Sequence, residues 1–484
     1  MAKPTGLIFI VWTGLTIASV TGAEVIFVDA NSPNNPGTGT FSDPFRRIQD
    51  AIDDEDTGSG DIVQIQPGVY TGPGNYNIDP NGFSITIRSS DPNNPEIVAS
   101  TIIDPNRAGR GFDLHGGESR NCVIAGLTIR NGYTTSDTDG GAIRCTQGSG
   151  PTIRNCVIVG CRAESKGGGI FCEGGSPYII GCSITDNFAA YYGGGASFSF
   201  CDTPDRPVIL GCRITGNDAG LEGGALDLGR SSAMVANCVI ADNNSMSNGG
   251  GINCFFSSDL SMINCTVAGN VAVDSGGALY FQYGSTAQIR NSILWANEAS
   301  QGSQVSLPFL YGDSGSSASV YYSDVQAGQT GVFVDPCSMI NWDESNIATD
   351  PNFAVFGSGV EADQWDFHLS SRAGRWDASV EDWVQDQFTS SCIDAGDPNS
   401  DYSSEPWPHG GRVNMGAYGG TRQASMNGNK ADFNIDGVVN LVDFAEFSKR
   451  WLSGEACIED MTGDSKVDST DLAILAYNWL WQIQ

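Results

Sequence analysis

Two acidic segments near the C-terminus carry oxygen-bearing side chains at a spacing that suits a metal ion. In the first segment, residues 432–443, such side chains occupy positions 1, 3, 5, 9 and 12, and a glycine occupies position 6. The side-chain ligands would be Asp432, Asn434, Asp436, Asn440 and Asp443, with the backbone carbonyl of Val438 at position 7. A flexible shell of about six to eight oxygen atoms is how proteins bind Ca²⁺. The sequence therefore predicts a calcium site in this loop.

The same pattern returns 28 residues later, in residues 460–471. Its side-chain ligands would be Asp460, Thr462, Asp464, Asp468 and Asp471, with the backbone carbonyl of Lys466 at position 7. Ser465 stands where the first loop has its glycine, so we expect weaker calcium binding in the second loop. A chance run of acidic residues would not repeat all five side-chain positions.

A helix is predicted after each loop, over residues 444–452 and 472–480. The two loop-helix units resemble a type I dockerin, in which F-hand-like loops carry Asp at position 12 and each precedes one helix. The resemblance implies two bound Ca²⁺ ions and docking to a cohesin-like scaffold protein. The recognition pair of that family corresponds to Ser469-Thr470 in one repeat and to Leu441-Val442 in the other. Because the two repeats differ there, the resemblance implies the cohesin partner less directly than the calcium.

Catalytic residues are harder to identify outside these loops. Asp186 and Asp242 occupy one position in two repeat units, with Gly216 in the unit between them. Stacking would place the two carboxyls about 10 Å apart, near the separation found in inverting glycosidases, where one acts as acid and the other as base. These are the weak candidates that the spacing offers, and solvated turn carboxylates are the alternative.

Other titratable groups form no recognisable catalytic set. A lyase would need a basic residue that abstracts a proton beside a calcium ion held by carboxylates. We recognise no such combination of residues in the sequence. The three histidines, His115, His368 and His409, are far apart in the sequence and are expected to be structural. The sequence therefore leaves open whether the chain is an enzyme.

A sequence repeat of about 27 residues indicates the scaffold that would position a site. An apolar column holds Ile158, Ile184, Ile214, Ile240, Val267 and Leu294. The residue three positions later is Cys161, Asn187, Asn217, Asn243, Asn270 or Asn297. A Gly-Gly pair begins six residues after that, at Gly167, Gly193, Gly223, Gly249 and Gly276. A fixed period with fixed columns is typical of a solenoid.

Each repeat holds short segments in which apolar and polar residues alternate, broken by Asn, Gly and Pro, which fits short strands and not helices. Parallel stacking in register would place like residues over like, roughly 4.8 Å apart. The repeat resembles the right-handed parallel β-helices of the pectate lyase-like superfamily and of polymorphic outer-membrane repeat proteins, over residues 25–420. Residues 350–420 also resemble the closing segment of secreted bacterial β-helix proteins. The resemblance implies an all-β solenoid but no particular activity, because this fold carries lyases, hydrolases, epimerases and adhesins.

Cysteines and aromatic residues also follow the repeat. Five of the 14 cysteines share one column, at Cys156, Cys182, Cys212, Cys238 and Cys265. Stacked free thiols and disulfides between neighbouring coils are both compatible with this spacing. Aromatic residues cluster near the strand that follows the Gly pair, at Tyr191, Tyr192, Phe198, Phe200, Phe255, Phe256, Tyr280, Phe281 and Tyr283. About half of them must point inward, and the others could stack on sugar rings.

The N-terminus has the features of a secretory signal peptide. Lys3 precedes an apolar run over residues 7–20, and small residues end it at Ala23, after which we expect cleavage. A membrane anchor is the alternative, but the run is short for a bilayer span of about 20 residues. The sequence has no second apolar run, and we predict no membrane span. Residues 45–52 have helical spacing and are predicted to cap the first coil, whose first strand is predicted at residues 61–66.

The net charge limits the possible partners, and the sequence features together predict the order of the domains. The chain has 24 Lys and Arg against 56 Asp and Glu, and this net charge of −32 argues against nucleic acid and anionic lipid as partners. We expect a signal peptide over 1–23, a right-handed β-helix over 24–420, a linker over 421–430 and a small helical calcium-binding domain over 431–484.

The predicted function is that of a secreted or cell-surface monomer that binds or degrades an extracellular polysaccharide, as a glycoside hydrolase or lyase. The alternative is a non-catalytic adhesin or structural β-helix protein.

Overall fold

The computed structural model describes residues 23–135, 138–202, 205–309, 314–434, 436, 438–454, 457–462 and 465–480. Residues 1–22 of the predicted signal peptide and the predicted ligand Asp464 lie outside the described residues. Within the described part of the chain, no helix has the length and apolar character needed to cross a membrane.

Nearly all described strands run parallel and stack into long sheets, so the chain is a parallel β-solenoid. Sheet 1 consists of Val25–Val28, Ile62–Ile65, Thr86–Ser89, Val123–Ala125, Thr152–Arg154, Tyr178–Ile180, Val208–Leu210, Ser232–Ala236, Asp259–Ile263, Thr286–Arg290, Ser317–Tyr321 and Met339–Trp342. Sheet 2 consists of Phe112–Leu114, Ile143–Cys145, Ile170–Glu173, Ala196–Ser199, Leu226–Gly229, Ile252–Phe255, Leu279–Phe281, Val305–Leu307 and Val332–Val334.

The strands of the other two parallel sheets are two or three residues long. Sheet 3 consists of Gly68–Tyr70, Thr101–Ile103, Thr128–Arg130, Val157–Val159, Ser183–Thr185, Arg213–Thr215, Val239–Ala241, Thr266–Ala268, Ile293–Trp295 and Asp324–Val325. Sheet 4 has two-residue strands, Tyr133–Thr134, Arg162–Ala163, Phe188–Ala189, Asp218–Ala219, Asn244–Ser245 and Val271–Ala272. Two antiparallel pairs follow, Phe353–Val355 with Asp366–Leu369 and Arg375–Asp377 with Asp382–Val384. The helices are Ile48–Ile52, Pro95–Ser100, Leu441–Lys449 and Ser469–Tyr477, with 3₁₀ turns at Gly328–Gly331 and Ala362–Gln364.

The predicted apolar column is the inner face of sheet 3. Ile158, Ile184 and Ile214 are direct partners in neighbouring strands, and Ile240, Val267 and Leu294 continue the row. All six side chains are fully buried. This confirms the predicted register, because a slip of one residue would have turned the whole column to solvent.

The asparagine column forms a buried hydrogen-bonded ladder at the turn between sheets 3 and 4. The Asn217 side-chain amide donates to the carbonyl of Ile184, 2.9 Å away, and to the Oδ1 of Asn243, 2.9 Å away. The same Asn217 accepts at Oδ1 from the backbone and side-chain amides of Asn187. Each asparagine thus forms hydrogen bonds with polar groups of its own turn and of neighbouring coils. These bonds offset the free-energy cost of burying the turn.

The cysteine column is buried and its thiols are free. The Cys212 thiol donates to the backbone carbonyls of Ile179 and Leu210, each 3.5 Å away. Burial raises the pKa of the Cys212 thiol well above its ordinary value. The cysteines therefore act as small core residues in this structure.

The N-terminal cap differs in detail from the prediction. Val25–Val28 pairs in register with Ile62–Ile65, so sheet 1 begins one strand earlier than residues 61–66. The helix begins at Ile48 and not at residue 45, because Phe45 makes an extended bridge to Val28. Its Ile48 and Ile52 are fully buried, as a cap requires.

Residues 350–420 cover the outer face of sheet 3 in its C-terminal half. Phe367 and Ala417 pack on Val239 and Ala268. The backbone N–H of Ala417 donates to the hydroxyl of Thr266 at 3.0 Å.

The two C-terminal helices begin three residues earlier than predicted, at Leu441 and Ser469. Each has a capping box, in which Asn440 or Asp468 caps the helix and Asp443 or Asp471 bonds back to the cap residue. Polar loop residues therefore start the helices, whereas the prediction placed each start directly after the twelve-residue loop.

We predict that Asn217→Ala lowers the free energy of unfolding by about 3 kcal/mol, because it leaves buried groups of two coils without partners. Urea denaturation followed by circular dichroism measures the change. The matched control is Asn121→Ala, at an exposed asparagine, which should change it by less than about 0.5 kcal/mol. Equal effects at the two positions would show that the ladder contributes nothing specific.

Candidate functional site

The structure places Asp186 and Asp242 on an exposed turn that follows sheet 3. Both residues have left-handed backbones, with φ of 55° and 56°. The pKa of Asp186 is raised by partial burial and by the charges of Asp218 and Asp363, and that of Asp242 by partial burial and by Asp186 and Asp218. The carboxyls are thus near enough to repel one another. Their catalytic role stays a prediction.

The three histidines lie in separate parts of the described structure. His115 faces Asp79, with 3.4 Å between Nε2 and the carboxylate. His368 is buried and stacks on Tyr418 at 3.6 Å between ring centroids. His409 contacts the rings of Tyr402 and Trp407. No two of them share a site.

A second group of titratable side chains lies on the outer face of sheet 2. The outward row of this sheet contains Arg144, Phe171, Ser197, Asp227, Asn253 and Tyr280, which are successive partners along the stack. Except for Arg144, these side chains are buried although they point away from the core. A neighbouring row of bridged residues, Lys166, Tyr192, Glu222, Asn248 and Ser275, runs alongside. We call these two rows the sheet-2 face.

Two carboxyls meet at the centre of this face. The side-chain amide nitrogen of Asn253 donates to Oε2 of Glu222 at 3.1 Å and to Oδ1 of Asp227 at 2.8 Å. Because one nitrogen bonds both oxygens, the two carboxyls lie within about 6 Å of each other. Ser197 donates to the other oxygen of Asp227 at 2.9 Å. Oδ1 of Asn253 is itself buried without a hydrogen-bond partner.

Burial changes the acidity of both carboxyls. It raises the pKa of Asp227 to about 7, although the hydrogen bonds from Asn253 and Ser197 act in the opposite direction. Burial also raises the pKa of Glu222, against the hydrogen bonds from Asn248, Gln282 and Asn253. Glu222 is partly exposed, whereas Asp227 is fully buried. A solvent molecule or ligand can therefore reach Glu222, with Asp227 behind it.

Buried carboxyls elsewhere in the chain have a different environment. Glu405 accepts bonds from the backbone N–H groups of Asn414 and Gly420, and Asp324 accepts from that of Thr349. Those carboxyls hold the backbone of the C-terminal segment. Asp227 instead accepts from two side chains on the sheet-2 face. A perturbed carboxyl that does not organise backbone is a candidate for a functional site.

Aromatic rings border the two carboxyls. Successive rings lie 6.4, 5.8, 5.0 and 4.9 Å apart between centroids, in the order Tyr191, Tyr192, Phe255, Phe256 and Tyr283. We call these five residues the ring row. Tyr191 and Phe256 are each 50% exposed. Lys166 lies over the ring of Tyr192, with Nζ 5.7 Å from its centroid. By contrast, Phe198 and Phe281 are buried in the core, as alternation requires.

A cavity of about 570 Å³ lies at the N-terminal end of the same face. His115, Arg144 and Glu173 are among its lining residues. The Arg144 guanidinium is already held by both oxygens of Asp113, at 2.7 and 2.8 Å. Arg144 belongs to the strand row that contains Asp227, so the cavity lies beside the N-terminal strands of sheet 2.

Several predicted ligands of the first calcium loop lie close together and are hydrogen-bonded to one another. The backbone N–H of Asp436 lies 3.2 Å from Oδ1 of Asp432 and 3.2 Å from Oδ1 of Asn434. The Asn434 amide also bonds the Asp436 carboxylate at 2.8 Å. The Val438 carbonyl accepts from the side chain of Asn440 at 3.1 Å. These oxygen donors match the chemistry of calcium.

The second loop has the same arrangement where it is described. The hydroxyl of Thr462 donates to Asp460 at 3.3 Å, and the Asp471 carboxylate accepts from the backbone N–H groups of Thr462 and Asp468. Within the described residues, no three His, Cys, Asp or Glu side chains lie together as a metal cluster. The calcium sites and their number are therefore a prediction from sequence and donor type.

Family models match three parts of the chain. Residues 201–307 match the model of the right-handed β-helix region, residues 334–396 match the model described as disaggregatase related, and residues 430–480 match the dockerin type I domain. The resemblances inferred from the repeat and from the acidic loops are thus confirmed. A search of curated proteins gave no match.

Solved structures with a similar chain path include two lyases and a glycosidase. The pectate lyase Pel9A is 15% identical, with a TM-score of 0.46, and the match covers 82% of this chain and 97% of that one. A rhamnogalacturonan lyase is 14% identical, with a TM-score of 0.36 and coverage of 69% and 91%. A GH136 lacto-N-biosidase from Eubacterium ramulus is 12% identical, with a TM-score of 0.26 and coverage of 67% and 68%. Likenesses this distant carry no information on activity.

Sequence reasoning identified the ring row but missed Glu222 and Asp227. The sequence holds one signal for Glu222. The position just before each Gly pair changes residue type from repeat to repeat, as in Lys166, Tyr192 and Glu222, whereas the structural columns keep one type. Asp227 lies between Leu226 and Leu228, and such alternation by itself predicts a solvated face. Its burial depends on side chains of adjacent coils.

We predict that Asp227 makes the stability of the protein depend on pH. Its pKa is raised from 3.8 to about 7, so its favourable contribution is fully present below pH 3.8 and is lost as the pH rises through 7. The unfolding free energy of the wild type should therefore fall relative to that of Asp227→Asn between these values, by on the order of 3 kcal/mol. Denaturation at several pH values measures the difference. Asp56→Asn, at an exposed carboxyl, should leave the profile unchanged, and an equal profile for Asp227→Asn would contradict the account.

Proposed function

We propose that this chain is an extracellular protein that binds a polysaccharide on the sheet-2 face and is attached to a partner through its C-terminal segment. The observation that carries the proposal is the pair Glu222 and Asp227, held by Asn253 beside the ring row. Sugar-binding sites combine aromatic rings, which cover the C–H faces of a sugar, with a few oriented polar groups.

The shape of the face supports a linear ligand. Its row from Lys166 to Ser275 is partly exposed and runs through successive coils of the stack, which rise about 4.8 Å each. A polymer of sugars can follow such a straight surface over several units. The half-exposed Tyr191 and Phe256 offer ring faces beside it.

The C-terminal segment supports the attachment. Residues 430–480 match the dockerin type I family, and their two loops hold oxygen donors that suit calcium. Calcium would be bound by Asp432, Asn434, Asp436, Val438, Asn440 and Asp443, and by the corresponding residues of the second loop. The proposed partner is a cohesin-like scaffold protein.

Catalysis on the bound glycan is the second candidate function. The observation that favours it is the accessible Glu222, whose raised pKa would allow it to donate a proton to a glycosidic oxygen. Hydrolase and lyase activities are both compatible with a carboxyl and a nearby Lys166. The alternative is a non-catalytic adhesin, in which the same face binds without cleaving.

Export and the segment boundaries form part of the same proposal. We propose cleavage after Ala23, a β-helix over 24–420, a linker over 421–430 and a docking module over 431–484. A negative charge of −32 keeps such a protein soluble and apart from anionic polymers outside the cell.

We predict that Phe256→Ala weakens glycan binding at least about tenfold, because a half-exposed ring of the ring row is lost. Affinity electrophoresis against a panel of polysaccharides identifies the ligand, and calorimetry then measures the change. Phe41→Ala removes an exposed ring far from this face and should leave the affinity unchanged. If both variants bind like the wild type, the glycan does not use the ring row.

Product assays on the same panel separate the two functions. Release of reducing ends or unsaturated products that disappears in Glu222→Gln would establish an enzyme acting at this face. Products that disappear in Asp186→Ala or Asp242→Ala would place the activity at the exposed turn instead. Binding without products would leave the adhesin.

We predict that the full chain binds Ca²⁺ and that Asp432→Ala weakens the tighter event more than Asp460→Ala does, because the second loop has Ser465 at its turn. Titration calorimetry measures both, with Asp56→Ala as the control at an exposed carboxyl. Chelation should also reduce the helix signal and the melting temperature of the C-terminal segment. No calcium-dependent heat at millimolar calcium would mean that the loops are only acidic turns.

A further inference from the structure

We infer that the polysaccharide bound on the sheet-2 face is an uncharged one, recognised through its hydroxyl groups, and that uronic-acid polymers are excluded. This inference rests on the proposed function, because it names the class of ligand for the same face. It is carried by the charges and hydrogen-bonding groups that surround Glu222.

The centre of the face is acidic. Glu222 and Asp227 share the amide of Asn253, and Glu222 is the carboxyl that a ligand can reach. A uronate carboxylate beside Glu222 would bring two like charges together in a partly desolvated place, which costs several times more than in water. The net charge of −32 adds long-range repulsion to this local cost.

Two arginines at this face are engaged in ion pairs, and two other cations lie beside aromatic rings. Arg144 forms a two-point ion pair with Asp113, and Arg110 contacts the same carboxylate. Arg230 lies 5.5 Å from the ring centroid of Phe200, and Lys166 lies over Tyr192. A uronate would have to break the Asp113 ion pair to reach Arg144 or Arg110, and Lys166 and Arg230 are the cations that it could reach without doing so. Bidentate arginine pairs are the strongest of such contacts and are costly to break.

The remaining polar groups suit sugar hydroxyls. Around Glu222, three amide side chains converge, with Asn248, Asn253 and Gln282 donating to its oxygens at 3.0 to 3.1 Å. A hydroxyl group both donates and accepts, so it can bond a carboxylate and an amide at once. Neighbouring hydroxyls on one sugar can thus engage Glu222 and Asn248, which is partly exposed.

The ring row supplies the apolar half of the interaction. Phe256 and Tyr283 are stacked at 4.9 Å with an interplanar angle of 21°, and Phe256 is half-exposed. A neutral sugar presents C–H groups to such rings without a charge that must be desolvated. The face therefore offers ring contacts and hydroxyl partners together, whereas its cations outside ion pairs among the described residues, Lys166 and Arg230, are too few to match a regular series of carboxylates.

The test compares neutral and uronic polymers on the wild-type protein. Calorimetry at low salt uses β-glucan, mannan and galactan as neutral probes, and polygalacturonate and alginate as uronate probes. We expect at least one neutral polymer to bind and both uronates to bind at least about tenfold more weakly, or not at all. Added salt should strengthen any residual uronate binding, because it screens the repulsion, and should leave the neutral affinity unchanged.

Three variants locate the effect. Glu222→Ala should weaken neutral binding, whereas Leu221→Ala, at the exposed residue next to it, should not. The double variant Glu222→Gln with Asp227→Asn should gain affinity for uronates, and circular dichroism confirms that it is folded. Loss of neutral binding in Leu221→Ala alone would place the site elsewhere and overturn the inference.

The outcomes separate this inference from the proposed function. Uronate binding equal to or tighter than neutral binding overturns the inference and leaves polysaccharide binding in place. Binding of neither class, at saturating concentrations of each polymer, overturns both. Neutral binding with exclusion of uronates supports both.

Discussion

In-register parallel stacking is the constraint on which the rest of the structure depends. Each residue of one coil lies directly over its counterpart in the next. Every side chain must therefore pack well against the side chain at the same position of the neighbouring coil. Isoleucine over isoleucine fills the core, and Asn187, Asn217 and Asn243 bond one another in a ladder. Columns that repeat one residue type are therefore structural, since one physical solution serves every coil.

The sheet-2 face departs from this rule. Its outward row changes from Arg144 through Phe171 and Ser197 to Asp227 and then to Asn253. No single interaction is repeated there, and the buried carboxyl of Asp227 carries a pKa of about 7 because burial disfavours its charge. A buried, perturbed carboxyl costs stability, so its presence on an outward face is better explained by a site than by packing.

Much of the fold was predictable because the same sequence pattern occurs in coil after coil. The Ile and Asn columns, the corners at the Gly pairs and the two acidic loops each appear in several copies, and the structure places the Ile and Asn columns as expected. Single-copy features were less predictable. The early start of the helices at Leu441 and Ser469 comes from capping boxes, and the helical cap at Ile48 is shortened by the bridge of Phe45.

The candidate site was the least predictable part. Its rings follow the repeat and were recognised, but the burial of Asp227 arises from Ser197 and Asn253 in the coils on either side. Sequence periodicity assigns a face to each residue and does not show which side chains of neighbouring coils close over it. The direct measurement is a crystal structure with a bound neutral oligosaccharide. We expect a sugar ring on Phe256 and a hydroxyl within hydrogen-bond distance of Glu222, and a sugar bound on the outer face of sheet 1 would contradict the account.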